Sequence, residues 1–389
     1  MLNKIPDIEF KSRIKKLQQK MQQKDLDIII TFGNESEPQY VRYFTDYWPS
    51  FETAGVFIPV IGEPILLIGP ESLTFAQGWS RIDRIELMKE FRESSEPEYP
   101  GIELTKFSGL FSEFLSSGSN KKIGIVGYPI MPVPIFNSIT EEAKKFGCEV
   151  VRSEELVIEM RQIKSENEIT MLKNAAQISE KALGNVLDEI KPGLTEAQVI
   201  GIAEYYIRKY GAEDRAYPLF CSSGKNTNQA VTRPTHKVIE KNELIFLNIG
   251  ARLGGYASSI GRPLVLGKPP QEVLDLMKLG IEANKNVISL LKEGIQGKEI
   301  DYLHRQFLKK NNAEDTYLYG PLHGIGLMEN EHPWVEADAD FIFKENMTFA
   351  ACVYLRKENF GLRVEDVLRI TKDGTEEFTG KFKEEPIIL

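Results

Sequence analysis

The strand-like run Leu244-Ile245-Phe246-Leu247-Asn248-Ile249-Gly250 leads directly into residues 251–262, which pass through Gly254-Gly255, so the chain turns back on itself as a hairpin. Residues 347–354 and 363–370 read as later strands of the same kind. Between these strands the spacing is helical. Ser165 with Glu168 forms a capping box ahead of Ile169, Leu172 and Ala176, and Thr195 with Gln198 repeats it ahead of Val199, Ile202 and Tyr206. Pro269-Pro270 opens a stripe through Val273, Leu276, Met277, Gly280, Ile281 and Ile288, and Leu303, Phe307 and Leu308 mark one more helix. Helices laid across one face of a curved, mostly antiparallel sheet satisfy this order.

The first part of the chain has a different rhythm. Ile14, Leu17 and Met21 mark an amphipathic helix over residues 12–24, followed by a buried strand over 27–32. Gly62-Glu63 turns between strands at 55–60 and 64–68, and a strand at 122–127 follows a helix around 107–115. The reading is a small α/β domain over 1–155 and a second domain over 156–389, an α/β (α+β) chain. A length of 389 residues fits two cores better than one.

Acidic side chains outnumber basic ones, 57 to 48, so a nucleic-acid backbone is repelled on average and no such partner is expected. No stretch approaches the roughly 20 apolar residues that span a bilayer, and Met1-Leu2-Asn3-Lys4 lacks the marks of a secretory leader. Three cysteines without a CxxC pair suit a reducing cytoplasm.

Several strings, taken in order, resemble the creatinase/aminopeptidase P/prolidase group, the M24 family. They are Tyr43-Phe44-Thr45-Asp46-Tyr47; Arg161-Gln162-Ile163-Lys164 with Glu168, Ile169 and Leu172; Gly250-Ala251-Arg252 with Gly255-Tyr256; His323-Gly324-Ile325-Gly326-Leu327; and Gly361-Leu362-Arg363-Val364-Glu365-Asp366. The resemblance covers both halves. It implies a creatinase-like α/β N-terminal domain, a pita-bread domain with a curved antiparallel sheet covered by helices, a homodimer, and hydrolysis of a C–N bond. Members that use metals hold two divalent ions with two aspartates eleven apart, a histidine and two glutamates. The resemblance places Asn248 and Ser259 at the aspartates, His323 at the histidine and Glu365 at the last glutamate. Cys352 falls at the other glutamate, with a one-residue ambiguity toward Ala351. Two histidines that steady substrate and leaving group fall on Val231 and Asn330. Two dications bring four positive charges that carboxylates must offset, whereas His323 and Glu365 supply two ligands, fewer than ordinary zinc sites use. No metal and no cofactor are therefore expected. Creatinase is the precedent in this group for chemistry without metal and also has asparagine at the place of Asn248. Its catalytic histidine would fall at Val231, however, and its substrate-gripping glutamate at Gly261.

His323, between Pro321 and Gly324-Ile325-Gly326, is the candidate to move a proton, or else a former ligand now hydrogen-bonded in the sheet. Glu365 lies on an apolar-flanked strand, where burial is expected to raise its pKa; alternatively it pairs with Arg363 or Arg262. Glu331 and His332, around Pro333-Trp334, are read as one wall of a pocket, with a solvent-facing loop as the other reading of His332. Cys352 invites a nucleophile hypothesis, but a buried neutral thiol is the preferred reading. Asn226, Asn228, Asn248, Ser259, Arg262, Asn330, His332 and Arg363 are candidates to bind substrate, and His323, Glu365 and Glu331 to carry the chemistry. The expected function is a metal-independent hydrolase for a small amide, amidino or amino-acid-derived compound, with a small-molecule or short-peptide-like ligand. The alternatives are a catalytically inactive homologue that binds a ligand or regulates, and a residual metal-dependent Xaa-Pro aminopeptidase or dipeptidase.

Overall fold

A computed structural model describes residues 4–115 and 121–389; residues 1–3, part of the start read above for a leader, lie outside the described residues. The chain divides into two compact units, Ile5–Arg161 and Gln162–Leu389.

The first unit is built on a six-stranded sheet. Its strands are β1 (Ile28–Gly33), β2 (Ala54–Pro59), β3 (Ile65–Ile68), β4 (Ile85–Leu87), β5 (Lys121–Val126) and β6 (Cys148–Arg152), in the order β4-β3-β2-β1-β5-β6. β1, β2 and β3 are buried at every residue, as their unbroken apolar runs require. The helix Asp7–Gln23 buries Phe10, Ile14, Leu17 and Met21 at spacings of three and four, as the sequence indicates. The helix Val133–Lys145, which buries Ile135, Ile139 and Ala143, was not anticipated: a proline at its second position masks a start that proline in fact tolerates.

The second unit carries the pita-bread sheet. β7 (Phe220–Ser223), β8 (Leu244–Ile249), β9 (Ile260–Val265), β10 (Leu322–Gly324), β11 (Glu331–Val335), β12 (Thr348–Arg356) and β13 (Gly361–Ile370) run in the order β11-β10-β12-β13-β9-β8-β7. Between β8 and β9 the hairpin detours through a small sheet of Asp214–Arg215, Ala251–Leu253 and Tyr256–Ala257. Both capping boxes form. Ser165 and Glu168 close the start of the helix Glu166–Glu189, and Thr195 and Gln198 that of Glu196–Lys209. The helix Gln271–Leu290 buries Val273, Met277 and Val287 in one core with Val353, Leu362 and Val364 of β12 and β13. Among the described residues no helix is long and apolar enough to cross a membrane.

Two buried polar groups show what this packing costs. Arg262, 1% exposed, meets Asp366, which is fully buried, at 2.6 Å (Nη2 to Oδ1), and Lys383 Nζ stands 3.4 Å from the other carboxylate oxygen. Burial pushes the Asp366 carboxyl up against the pull of Arg262 and Lys383. On the helix Gly297–Lys310, His304 is 2% exposed and its Nδ1 has no hydrogen-bond partner among the described residues. Burial, aided by Arg305 and opposed by Asp301, lowers its pKa from 6.5 to about 4. The folded chain therefore holds His304 neutral while the unfolded chain protonates it below pH 6.5, so stability falls as pH drops from 6.5 toward 4, by roughly 3 kcal/mol. Urea melts of wild type and His304→Leu across that range check this: the wild-type curve slopes, and the variant curve is flatter by that amount.

Candidate active site

The register of the sheet lines up the candidate residues. Phe220 pairs with Asn248, Asn248 with Gly261, Gly261 with Glu365, and Glu365 with Cys352. Directly paired residues project from the same face. Asn248, Glu365 and Cys352 therefore share one side, while Ala351 points to the other and joins the helix-covered core. The register thus places Cys352, not Ala351, beside Glu365. At Gly261 a Cβ would lie 2.3 Å from Asn248 Oδ1 and 2.9 Å from Glu365 Cβ, so the bare backbone makes room for the amide.

Above this line opens a cavity of about 510 Å³ lined by Tyr217, Phe220, Val231, Asn248, Tyr319, His323, Glu329, Asn330, Trp334, Cys352 and Arg363, among others. A chain of hydrogen bonds crosses its floor. Tyr217 Oη and Ser259 Oγ are 2.7 Å apart, and Asn248 Nδ2 donates to Ser259 Oγ at 3.5 Å and to Glu365 Oε2 at 3.3 Å. Arg363 Nη1 donates to the same Glu365 oxygen at 3.4 Å, and its Nη2 donates to Tyr319 Oη at 2.8 Å and to the Ala230 carbonyl at 2.6 Å. His323 Nε2 stands 3.6 Å from Glu329 Oε1, and His323 Nδ1 is 3.1 Å from the Gly324 carbonyl.

The electrostatics separate the two carboxyls. Burial pushes Glu365 up, but the Arg363 guanidinium, His323, and hydrogen bonds from Ser259 and Cys352 outweigh it and hold this carboxyl below the usual range. The rise expected from burial alone is thus reversed by the charges beside it. Glu329 moves the other way: burial, Glu365 and a hydrogen bond between the two carboxyls raise it against the pull of His323 and Arg363. Burial also lifts the Cys352 thiol well above its ordinary value, which suits the neutral-thiol reading.

Of the residues put forward from sequence to bind substrate or carry the chemistry, Asn248, His323, Asn330 and Arg363 line the cavity, and Ser259 and Glu365 join it through hydrogen bonds. The others lie elsewhere. Glu331 is paired with Lys164 at 3.1 Å, and its carboxylate also accepts from the Met328 amide. Arg262 is held by Asp366, and its Nη1 donates to the Glu365 backbone carbonyl at 2.8 Å. Asn226 donates to the buried Glu196, and Asn228 to the Glu358 carbonyl. His332 is exposed and packs on Trp334, with ring centroids 3.9 Å apart. Sequence reasoning passed over Glu329, Tyr217 and Tyr319. Glu329 stands between His323 and the Asn330-Glu331-His332 string, close enough to have been weighed with them. The tyrosines sit in segments without a motif.

The sequence profile of the creatinase/prolidase N-terminal domain matches residues 13–163, and that of metallopeptidase family M24 matches residues 170–372. The chain belongs to family M24. An Xaa-Pro dipeptidase of Pyrococcus furiosus is 26% identical over 371 residues, 95% of this chain and 98% of that one. An Xaa-Pro dipeptidase of Pyrococcus horikoshii is 28% identical over 94% of this chain and 96% of its own length. The X-Pro aminopeptidase of Thermotoga maritima superposes with a TM-score of 0.83 at 23% identity, covering 97% of this chain and 99% of that one. A prolidase from Thermococcus sibiricus gives 0.85, also at 23%, with 98% and 99% covered. At that identity the likeness is one of fold.

The metal pair of M24 enzymes does not fit these donors. Asn248 turns its amide hydrogens toward Ser259 and Glu365, Ser259 Oγ is shared with Tyr217, and Glu365 Oε2 is already occupied by Asn248 and Arg363. A neutral amide, a hydroxyl and a protonated thiol do not balance two dications as carboxylates do. Among the described residues, no three His, Cys, Asp or Glu side chains are grouped so that they could hold a metal ion.

Proposed function

We propose that this M24 protein is a metal-independent hydrolase that cleaves a C–N bond in a small amide, amidino or amino-acid-derived compound. The observation that carries the reading is that His323 and Glu329 line one cavity, with Glu365 joined to it through Asn248 and Arg363, and that its donors do not suit a metal pair. His323 takes a proton from the attacking water and returns it to the leaving nitrogen. Glu365, held anionic by Arg363, orients the polar end of the substrate, and Glu331, through the Met328 amide, steadies the loop that carries Glu329. Two carboxyls whose pKa values are driven apart are the arrangement expected of an acid–base site. The cavity volume suits a small molecule or a short peptide-like ligand. A cytoplasmic homodimer belongs to the same reading, and light scattering on the purified chain checks the assembly.

One observation favours a second reading, ligand binding without turnover. With the Cys352 thiol protonated, the cavity wall lacks a thiolate nucleophile, and attack falls to water in this reading. The test is to purify the protein without chelator, measure its metal content, and screen amides, ureas, amidines and Xaa-Pro dipeptides for amine or ammonia release with and without EDTA. Turnover unchanged by EDTA, with metal well below one ion per chain, is the expected result. Stoichiometric manganese, cobalt or zinc that activity requires would sink the proposal. A compound that binds and is never cleaved would support the second reading.

A further inference from the structure

We infer that Tyr319 is a catalytic residue, the hydrogen-bond donor to the carbonyl oxygen of a bound amide, backed by the guanidinium of Arg363. The inference rests on the hydrolase reading and narrows its substrate to a compound with a carbonyl on the scissile C–N bond.

Arg363 Nη2 donates to Tyr319 Oη at 2.8 Å, and a guanidinium has no capacity to accept. The phenolic hydrogen of Tyr319 must therefore point to some other group. Its neighbour is the Cys352 thiol, also on the cavity wall and a weak acceptor that a carbonyl oxygen would displace. A phenol is protonated at neutral pH, so it is available as a donor. A donor whose own oxygen accepts from a buried cation is polarised toward whatever it faces.

The donor is also held in place before a ligand arrives. Arg363 is 7% exposed and fixed by the Ala230 carbonyl and by Glu365. The Tyr319 ring stacks on Tyr354 with centroids 6.2 Å apart and planes 18° apart, and Tyr354 Oη is tied to the Thr227 carbonyl. The next residue, Gly320, passes so close to β11 that a Cβ would sit 1.6 Å from the Val335 carbonyl oxygen. This backbone cannot shift without breaking that contact. Preorganised donors of this kind stabilise a developing oxyanion without reorganisation during the reaction.

The oxygen of water bonds to the carbonyl carbon, its proton passes to His323, and the carbonyl π electrons move onto the oxygen that Tyr319 holds. As that oxygen re-forms its double bond, the C–N bond breaks and His323 returns the proton to nitrogen. The products are a carboxylic acid and an amine, or ammonia.

Tyr319→Phe keeps the ring and its stack and removes the hydroxyl, the donor to the substrate and also the acceptor for Arg363 Nη2. With an amide from the turnover screen, kcat is expected to fall by about 10²–10³ with KM within about threefold, and the melting temperature to drop only by what one lost hydrogen bond to Arg363 costs. A probe independent of turnover is [carbonyl-13C]benzamide, titrated while its carbonyl resonance is followed. A downfield shift on binding to wild type that is lost in Tyr319→Phe supports the donor even if no substrate has been found. An identical shift in both proteins, or none in wild type, overturns it, whatever becomes of the hydrolase reading.

Discussion

Replacing His323 with alanine is expected to lower kcat toward any amide the protein cleaves by about 10²–10⁴, the usual range for a lost general acid–base, with little change in KM. The surroundings of the ring give the reason. Its Nδ1 lies 3.1 Å from the Gly324 carbonyl, which can only accept, so that nitrogen carries a hydrogen and Nε2 is turned toward Glu329 and the cavity. The imidazole is thus oriented as a base before substrate enters. Its side chain lines the cavity and is no part of the helix-covered core, so truncation leaves that core intact and the fold is expected to survive. Steady-state kinetics and a thermal melt on the same preparation separate the two effects. A variant that turns over at full rate would show that His323 is not the proton carrier.

Arg262→Ala is expected to destabilise the second unit by about 3–5 kcal/mol, the cost of stranding one partner of a buried ion pair. Asp366 would face Lys383 alone, at 3.4 Å. The substitution also strips hydrogen bonds from the Gly261, Glu365 and Lys381 carbonyls, all now served by the same guanidinium. Urea unfolding of Arg262→Ala, Asp366→Ala and the double variant measures the coupling. The double variant should recover part of the loss, because it removes the orphaned carboxylate together with the arginine. A single-variant cost below about 1 kcal/mol would mean that the pair contributes no more than a surface contact.

The fold could be read from the sequence because its signals are local and repeated. Two capping boxes, Pro270 before the helix Gln271–Leu290, and the apolar runs of β8, β12 and β13 each set one element, and all agree. The site was readable where a motif fixes a residue, as at His323 and Glu365, and where a missing carboxylate leaves a gap, as at Asn248. It was not readable where placement depends on cross-strand register or on a loop path. Nothing local distinguishes Cys352 from Ala351 until β12 is paired with β13. Glu331 sits beside Glu329 in sequence, yet one is committed to Lys164 and the other reaches His323. Likewise Tyr319 acquires its significance from Arg363, 44 residues further along.

Glu365 and Asp366 are adjacent on β13, and alternation sends one toward the cavity and the other toward the pair with Arg262. Lys381 and Lys383 close that pair from the last stretch of the chain, and Thr379 touches both Asp366 and the Ser259 carbonyl. The chemistry on one face of the strand therefore has its footing on the other. Loosening the final dozen residues, by trimming or by a partner that peels them away, would tilt the Glu365 carboxylate with no contact at the cavity itself.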